Sequence, residues 1–304
     1  MQIVREPARM RAVVQAARAA GRRVGFVPTM GALHAGHASL AAQAAQACDD
    51  VVVSIFVNPT QFAPHEDFNR YPRSFEADCE LLERQGATWV FAPSVEAMYP
   101  PGGATRIVVG GPALRFEGAM RPGHFEGVAT VVYRLFQAVP ADAAFFGAKD
   151  WQQTVVVRRM VKDLSLPIEI VVCSTVREPD GLAMSSRNAY LSPDDRGRAV
   201  ALSAGLERAA ELWGAGAGAR QIEAAVRDAL AARGIACDYA AVVDPESLDD
   251  LAARDGETGP AVVLVAGRLG STRLIDNREL PRRSSSADPA SAPGGPASAP
   301  YGLA

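Results

Sequence analysis

The 304-residue chain has little cysteine, histidine or lysine: 4 Cys, 4 His, and among 31 basic residues only Lys149 and Lys162 are lysine, the rest being arginine. Cys48, Cys79, Cys173 and Cys237 stand far apart, with no CxxC pair and no Cys/His cluster at metal-ligand spacing. That excludes a zinc ribbon and a disulfide scaffold, and leaves free thiols suited to a reducing compartment. No apolar run approaches the roughly 20 residues that span a bilayer, and the N-terminus, MQIVREPARMRAVVQAARAAG, breaks its apolar positions with charges, unlike a signal peptide. A cytoplasmic protein without membrane contacts is expected. A formal net charge of -3 excludes the basic field that holds nucleic acid, so a small-molecule substrate is expected instead.

What is present is an ordinary globular composition, 48% hydrophobic and 21% charged, on a chain long enough for one large domain or two unequal ones. Apolar, β-branched runs at VGFVPT (24–29), VVVSIFVN (51–58), TWVFAP (88–93), ADAAFFG (141–147) and IEIVVCS (168–174) predict strands. Helical patterns at about 6–20, 36–48, 73–86, 124–138 and 150–164 alternate with them. Alternation of this kind predicts βαβ units, and near-continuous apolar strands predict a parallel sheet covered on both faces. The expected fold is α/β: a doubly wound, Rossmann-like domain over 1–175, with its ligands at the carboxyl ends of the strands. From 176 to 281, Ala-rich helices (about 193–213 and 218–233) and two strand-like runs, DYAAVVD and AVVLVAG, predict a smaller α+β lid domain. Residues 282–304 are Ser/Pro/Ala/Gly-rich and are expected to be a disordered tail.

Four segments carry chemistry. VPTMGALHAGHASL (27–40) falls where the first of these strands feeds a helix, a place where backbone N–H groups and a helix N-terminus can meet phosphate. Gly31 permits close approach, Gly36 bares the helix surface, and His34 and His37, three apart, share one helical face. Such a pair can also be structural or bind a metal, but no third ligand stands out. GAKDWQQ (147–153) lies at another strand end, with Lys149 as a compact charge for phosphate and Asp150 as an acceptor for ribose hydroxyls. The bland alternative is a solvated helix start, against which stands the survival of a lysine in an arginine-dominated chain. VREPDGLAMSSRN (176–188) offers Ser185, Ser186 and Arg187 beside an Asp-Gly turn, a set able to close over a triphosphate. SIFVNPTQF (54–62) supplies the amides Asn58 and Gln61, which with Gln153 can grip a polar, uncharged part of a small substrate.

A histidine pair at a helix start followed by a later phosphate loop is the layout of the HxGH nucleotidyltransferase-like superfamily. Through PTMGALHAGH, FVNPTQF, RYPR, EGAMRPGHFEGVATVV, FGAKDWQQ, TVREPDGLAMSSRN and GSTRLIDN the chain resembles the pantothenate synthetase (pantoate:β-alanine ligase) family over residues 1 to about 280. It departs in HAGH, where an acid more often separates the histidines, in His65, and in Ser174, where proline is more usual.

The resemblance implies an ATP- and Mg²⁺-dependent, AMP-forming acid:amine ligase that makes pantoyl adenylate and pyrophosphate, then lets β-alanine displace AMP. It implies ATP contacts from Met30, Gly31, His34, Gly36, His37, Gly147, Ala148, Lys149, Asp150, Val176, Met184, Ser185, Ser186 and Arg187. It implies pantoate or β-alanine contacts from Met30, Asn58, Gln61 and Gln153, with His34, His37 and Lys149 acting on the phosphates. Arg121 and His124 are expected to order the pocket, and magnesium to ride on the phosphates without a protein cage. A homodimer is implied too. The alternatives are another HxGH nucleotidyltransferase acting on a small cofactor precursor, and a regulator that has lost catalysis.

Overall fold

The computed structural model describes residues 1–62, 68–253 and 258–283. His65 and nearly all of the expected tail lie outside them. In chain order the elements are β1 (Gln2–Val4), α1 (Pro7–Ala19), β2 (Val24–Thr29), α2 (Ala35–Ala47), β3 (Asp50–Ile55), α3 (Phe75–Arg84), β4 (Trp89–Phe91), α4 (Val95–Met98), α5 (Glu117–Met120), α6 (His124–Ala138), β5 (Ala143–Gly147), α7 (Trp151–Asp163) and β6 (Glu169–Cys173). Then follow α8 (Pro193–Ala199), α9 (Ala201–Gly214), α10 (Ala219–Ala231), β7 (Ala236–Val243), β8 (Ala261–Leu269) and β9 (Thr272–Leu280).

The first six strands form one parallel sheet in the spatial order β1-β4-β3-β2-β5-β6. Successive residues of each central strand serve opposite faces, as the pleat requires. Phe26, Val52, Phe91 and Phe146 join the core under α1 and α6, while Val27, Val51, Val53, Val90 and Phe145 join a second core on the other face. This double burial explains why the strands read as unbroken apolar runs. The chain moves outward from β2 through β3 and β4, then returns to place β5 on the other side of β2, with Gly25 opposite Ala143 and Phe26 opposite Ala144. The loops after β2 and β5 therefore diverge at a topological switch point, and a crevice opens between them.

The last three strands form an antiparallel sheet, β7-β8-β9. One face, with Ala240, Val242, Val263 and Val265, packs with Leu206, Ile222 and Leu230 of α9 and α10. The other face presents Ala241, Val243, Val262 and Leu264 to Ala148, Trp151 and Val155, at the foot of α7. The small sheet is thus seated beside the loop that follows β5.

The fold class matches expectation, and the differences are local. β1, three residues at the sheet edge, is too short to show a period. The helix expected over 193–213 is two, α8 and α9, meeting at Val200. β9 was not expected: TRLIDNREL carries charge at Arg273, Asp276, Arg278 and Glu279, yet Asp276 and Asn277 are buried where partners satisfy them.

Candidate active site

The loop after β2 is held by side chains behind it. Thr29 Oγ1 donates to the Ser54 carbonyl (2.6 Å) and accepts from Gly31 N (3.2 Å). Gly31 and Ala32 both have positive φ, +80° and +51°, and a non-glycine residue there carries strain that something must hold. Asp78, on α3 and only 3% exposed, does so: its two carboxylate oxygens accept from Ala32 N and Leu33 N, both at 2.9 Å, and Ser74 donates to it at 3.0 Å. A loop at a strand end can offer backbone N–H groups to phosphate, but these two amides are not free to do so. They are taken by a carboxylate instead, and Gly31 lies behind the loop rather than on the cavity wall.

The histidines form a reciprocal cap on α2. Gly36 N donates to His34 Nδ1 (3.1 Å), and His34 N donates to His37 Nδ1 (3.4 Å). Each Nδ1 is therefore an acceptor, so each neutral ring carries its proton on Nε2. Burial, reinforced by the neighbouring His34 ring and Lys149, lowers the His37 pKa to about 3. Burial and then Lys149 also lower that of His34. Both rings are neutral N–H donors at physiological pH, with centroids 4.2 Å apart.

Opposite them, β5 ends in a 3-10 turn, Ala148–Asp150, that leads into α7. Lys149 Nζ lies 3.6 Å from Asp150 Oδ1. Burial alone would raise the Asp150 carboxyl, but Lys149 and Arg187 outweigh it and hold it below the ordinary aspartate range. Ala148 does not line the cavity, because its methyl is buried against the small sheet. The third wall is the segment after β6. Met184 N donates to the Val176 carbonyl (3.0 Å), Arg177 bridges Ala183, and Gly181 turns the chain at φ +94°. This narrow hairpin delivers Ser185, Ser186 and Arg187 to the cavity edge.

The amide cluster divides in two. Asn58 is 1% exposed, donates to Gln61 Oε1 (3.1 Å) and the Gly127 carbonyl (3.3 Å), and accepts from Thr60 Oγ1 (3.0 Å) and Tyr99 (2.8 Å). Both of its N–H bonds are used within the protein, so it orients Gln61. Gln61 Nε2 points at Met30 Sδ (2.9 Å). His124 Nδ1 donates to the Gln61 carbonyl at 2.9 Å, and Arg121 lies 3.1 Å from His124 Nε2, so this pair fixes the backbone of Gln61. Gly127 on α6 is needed here: a Cβ would come within 2.8 Å of Gln61 Cα.

One cavity brings together Met30, His34, Gly36, His37, Asn58, Gln61, Gly147, Lys149, Asp150, Gln153, Val176, Met184, Ser185, Ser186 and Arg187. Sequence reasoning missed its apolar wall, Val128, Val131 and Leu135 of α6, along with Tyr71 and Thr29. The helical period of α6 was visible, but a core-facing stripe looks the same whether or not a cavity interrupts it.

The chain is similar to known proteins over most of its length. The profile of a family described as pantoate-beta-alanine ligase matches residues 2–279. A pantothenate synthetase from Rhizorhabdus wittichii is 52% identical over 278 residues, covering 91% of this chain and 98% of the relative. One from Acidobacterium capsulatum is 53% identical over 258 residues, covering 84% and 85%. Among solved structures, pantothenate synthetase from Thermus thermophilus superposes with a TM-score of 0.87 at 49% identity, covering 92% of this chain and all of that one. A pantoate-beta-alanine ligase from Francisella tularensis, solved in complex with beta-gamma ATP and beta-alanine, gives 0.75 at 32% identity, covering 91% and 97%.

Proposed function

This chain belongs to the pantoate-beta-alanine ligase family and condenses pantoate with β-alanine using ATP; from that premise we propose that the cavity between the loops after β2 and β5 runs the reaction in two steps, through pantoyl adenylate. The observation that carries this reading is the meeting of two neutral Nε2–H donors, Lys149 and the Ser185–Arg187 edge around one cavity that also has an amide-and-apolar end.

In the first step a pantoate carboxylate oxygen attacks the α-phosphorus as the bond to the bridging oxygen of pyrophosphate breaks. The carboxylate is already ionised, so the step needs alignment and charge stabilisation rather than a base. His34 and His37 donate Nε2–H to the phosphate oxygens, and Lys149 follows the charge onto the α- and β-phosphates. Ser185, Ser186 and Arg187 close on the departing pyrophosphate, with Val176 and Met184 along the nucleotide and Asp150 on the ribose. Gly147 and Gly36 let the nucleotide approach the backbone. At the other end Gln61 and Gln153 hold the pantoate hydroxyls and carboxylate, Asn58 keeps Gln61 turned inward, and Met30 with Val128, Val131 and Leu135 packs the gem-dimethyl group. In the second step the neutral amine of β-alanine attacks the acyl carbon, the bond to AMP breaks, and the amine proton passes to water.

Among the described residues Asp150 is the only carboxylate on the cavity wall, a donor set that suits Mg²⁺ carried in on phosphate oxygens and water. When bound, that ion neutralises phosphate charge. The same reading takes 1–175 as the nucleotide- and pantoate-binding domain and 176–281 as the lid, in line with their separate cores. It takes the protein as a cytoplasmic homodimer. Support for the dimer comes from residues 103–110, which run outside every strand of the described residues and leave Val108 73% and, just beyond, Leu114 67% exposed.

The test is isotope exchange: pyrophosphate should exchange into ATP when pantoate is present and β-alanine is absent. Exchange without an acid, or only with an unrelated acid, rejects the assignment.

A further inference from the structure

Two adjacent residues of β9, Asp276 and Asn277, are 3% and 5% exposed, and neither lines the cavity described above. Asn277 Nδ2 donates both of its hydrogens, to the Ala148 carbonyl at 2.8 Å and the Lys149 carbonyl at 2.7 Å. The orientation of this amide is determined by its surroundings, since reversing it would set its oxygen against two other acceptors. The Asp276 carboxylate accepts from Arg177 in a two-pronged pair, 2.7 and 3.1 Å, and from Asn277 N at 2.8 Å. Arg177 also donates to the Gly181 carbonyl at 3.0 Å and so braces the turn of the hairpin that ends in Met184 and Ser185.

The two phosphate-facing walls are far apart in sequence, and each is irregular where it matters. Lys149 stands in a 3-10 turn whose carbonyls have not yet entered the regular ladder of α7, and Ser185 to Arg187 stand at the foot of a two-rung hairpin. Neither segment sets its own distance from the other. We propose that Asp276 and Asn277 are positioning residues for adenylate formation: one strand holds the turn bearing Lys149 through Asn277 and the hairpin bearing Ser185–Arg187 through Asp276 and Arg177, and so fixes the gap into which the triphosphate must fit. The proposal rests on the adenylation reading above. It assigns to the small sheet a part in the chemistry through the two loops that it holds.

The consequence differs from that of a residue that only supports the fold. In this reading pantoate is held by the side chains of Gln61 and Gln153, neither of which shares a hydrogen bond with Asp276 or Asn277, whereas a shift of about 1 Å between reacting groups costs on the order of 100-fold in rate. The experiment measures pantoate-dependent pyrophosphate exchange, pantoate binding by calorimetry and the thermal midpoint on full-length Asn277→Ala, Asn277→Asp and Asp276→Asn, beside wild type and Val265→Ala. The last removes buried volume from the same small sheet, on the strand beside Asp276, and takes no hydrogen bond from either tether.

Asn277→Ala should lower the maximal exchange rate at least about 10-fold, and Asn277→Asp, which turns oxygens toward two carbonyls, should lower it further. Pantoate affinity should stay within about twofold of wild type. Val265→Ala should lose thermal stability and keep its exchange rate per folded molecule. Exchange by Asn277→Asp within twofold of wild type overturns the proposal. So does loss of pantoate binding in step with exchange, or an equal fall in Val265→Ala, because either makes the pair a general support. Wild-type protein without pantoate-dependent exchange would sink the adenylation reading itself, a result visible before any variant is compared.

Discussion

The anchoring of the β2 loop by Asp78 can be tested with a change of one atom. Asp78→Asn keeps size and shape but replaces one carboxylate oxygen with an N–H₂ group, while Ala32 N, Leu33 N and the Ser74 hydroxyl all still point at the site. Whichever way the new amide turns, one of these donors meets another donor. A hydrogen bond to a charged acceptor contributes about 1.5–3 kcal/mol, and a buried N–H left without a partner costs about 1–3 kcal/mol. These two figures describe overlapping losses, so the expected destabilisation is about 2–4 kcal/mol. At roughly 2–4 °C per kcal/mol for a chain of this size, the thermal midpoint should fall by about 4–16 °C.

The functional effect is separable from this loss. Ala32 stays at φ +51° only while it is held, and the next helix begins three residues later with the two histidines. A relaxed loop moves their Nε2–H groups, so exchange per folded molecule should drop by about 10- to 100-fold. Ser74→Ala is the control, since it removes one donor to Asp78 and leaves both loop amides satisfied; its cost should stay near 1 kcal/mol with nearly full exchange. The reasoning is refuted if Asp78→Asn keeps its thermal midpoint within about 1 °C and its exchange rate within twofold.

Three further outcomes are expected. Lys149→Ala should slow single-turnover adenylate formation about 100-fold, near the ~3 kcal/mol typical of one preorganised donor, while Lys149→Arg should also lose substantially because the wider guanidinium crowds the phosphates; wild-type behaviour of the arginine variant would mean that the lysine persists by chance. Gln153→Ala should raise the pantoate KM and leave ATP binding nearly intact, and weakened ATP binding alone would show the pantoate end to be misplaced. The folded His37 has its pKa depressed from 6.5 to about 3, so its contribution to stability is complete above pH 6.5 and is lost as pH falls toward 3. Denaturant titrations of the ligand-free protein should therefore give a shallower acid limb for His37→Gln, by at most about 1.4 kcal/mol per pH unit, and identical slopes would place the acid sensitivity elsewhere.

How much of this was legible in the sequence depends on the kind of residue. The doubly wound sheet was, because its buried strands leave apolar runs that only a two-sided sheet needs. As candidates, His34, His37 and Lys149 were too, because they sit where strands end, and so was Ser185–Arg187, because hydroxyls and a guanidinium follow an Asp-Gly turn. β9 was not, because its polar residues are paired by Arg177 and by backbone carbonyls more than a hundred positions away, and a buried Asp looks in sequence like an exposed one. Asp78 was hidden in the same way: on an amphipathic helix it reads as the solvent side, although it is the most consequential residue of α3. Asn58 was seen, but its bonds to Gln61 and to the Gly127 carbonyl were not, since an amide that grips a ligand and one that grips another amide have the same letter.

The histidine cap on α2 restricts what the two positions can tolerate. Each ring accepts a backbone N–H with one nitrogen and presents a hydrogen from the other, at opposite corners of a rigid plane. Lysine and arginine donate but cannot accept; aspartate accepts but cannot donate; serine is too short to do both across that distance. Hydroxyls donate and accept at a single atom; only asparagine and glutamine share with neutral histidine an acceptor on one atom and a donor on another, and they lack the rigid ring. A kinetic defect from His34→Ala or His37→Ala should therefore combine a frayed helix start with loss of the proposed phosphate contact, and His→Asn or His→Gln is the substitution that separates them: a variant that restores the helix without restoring the rate isolates the chemical share.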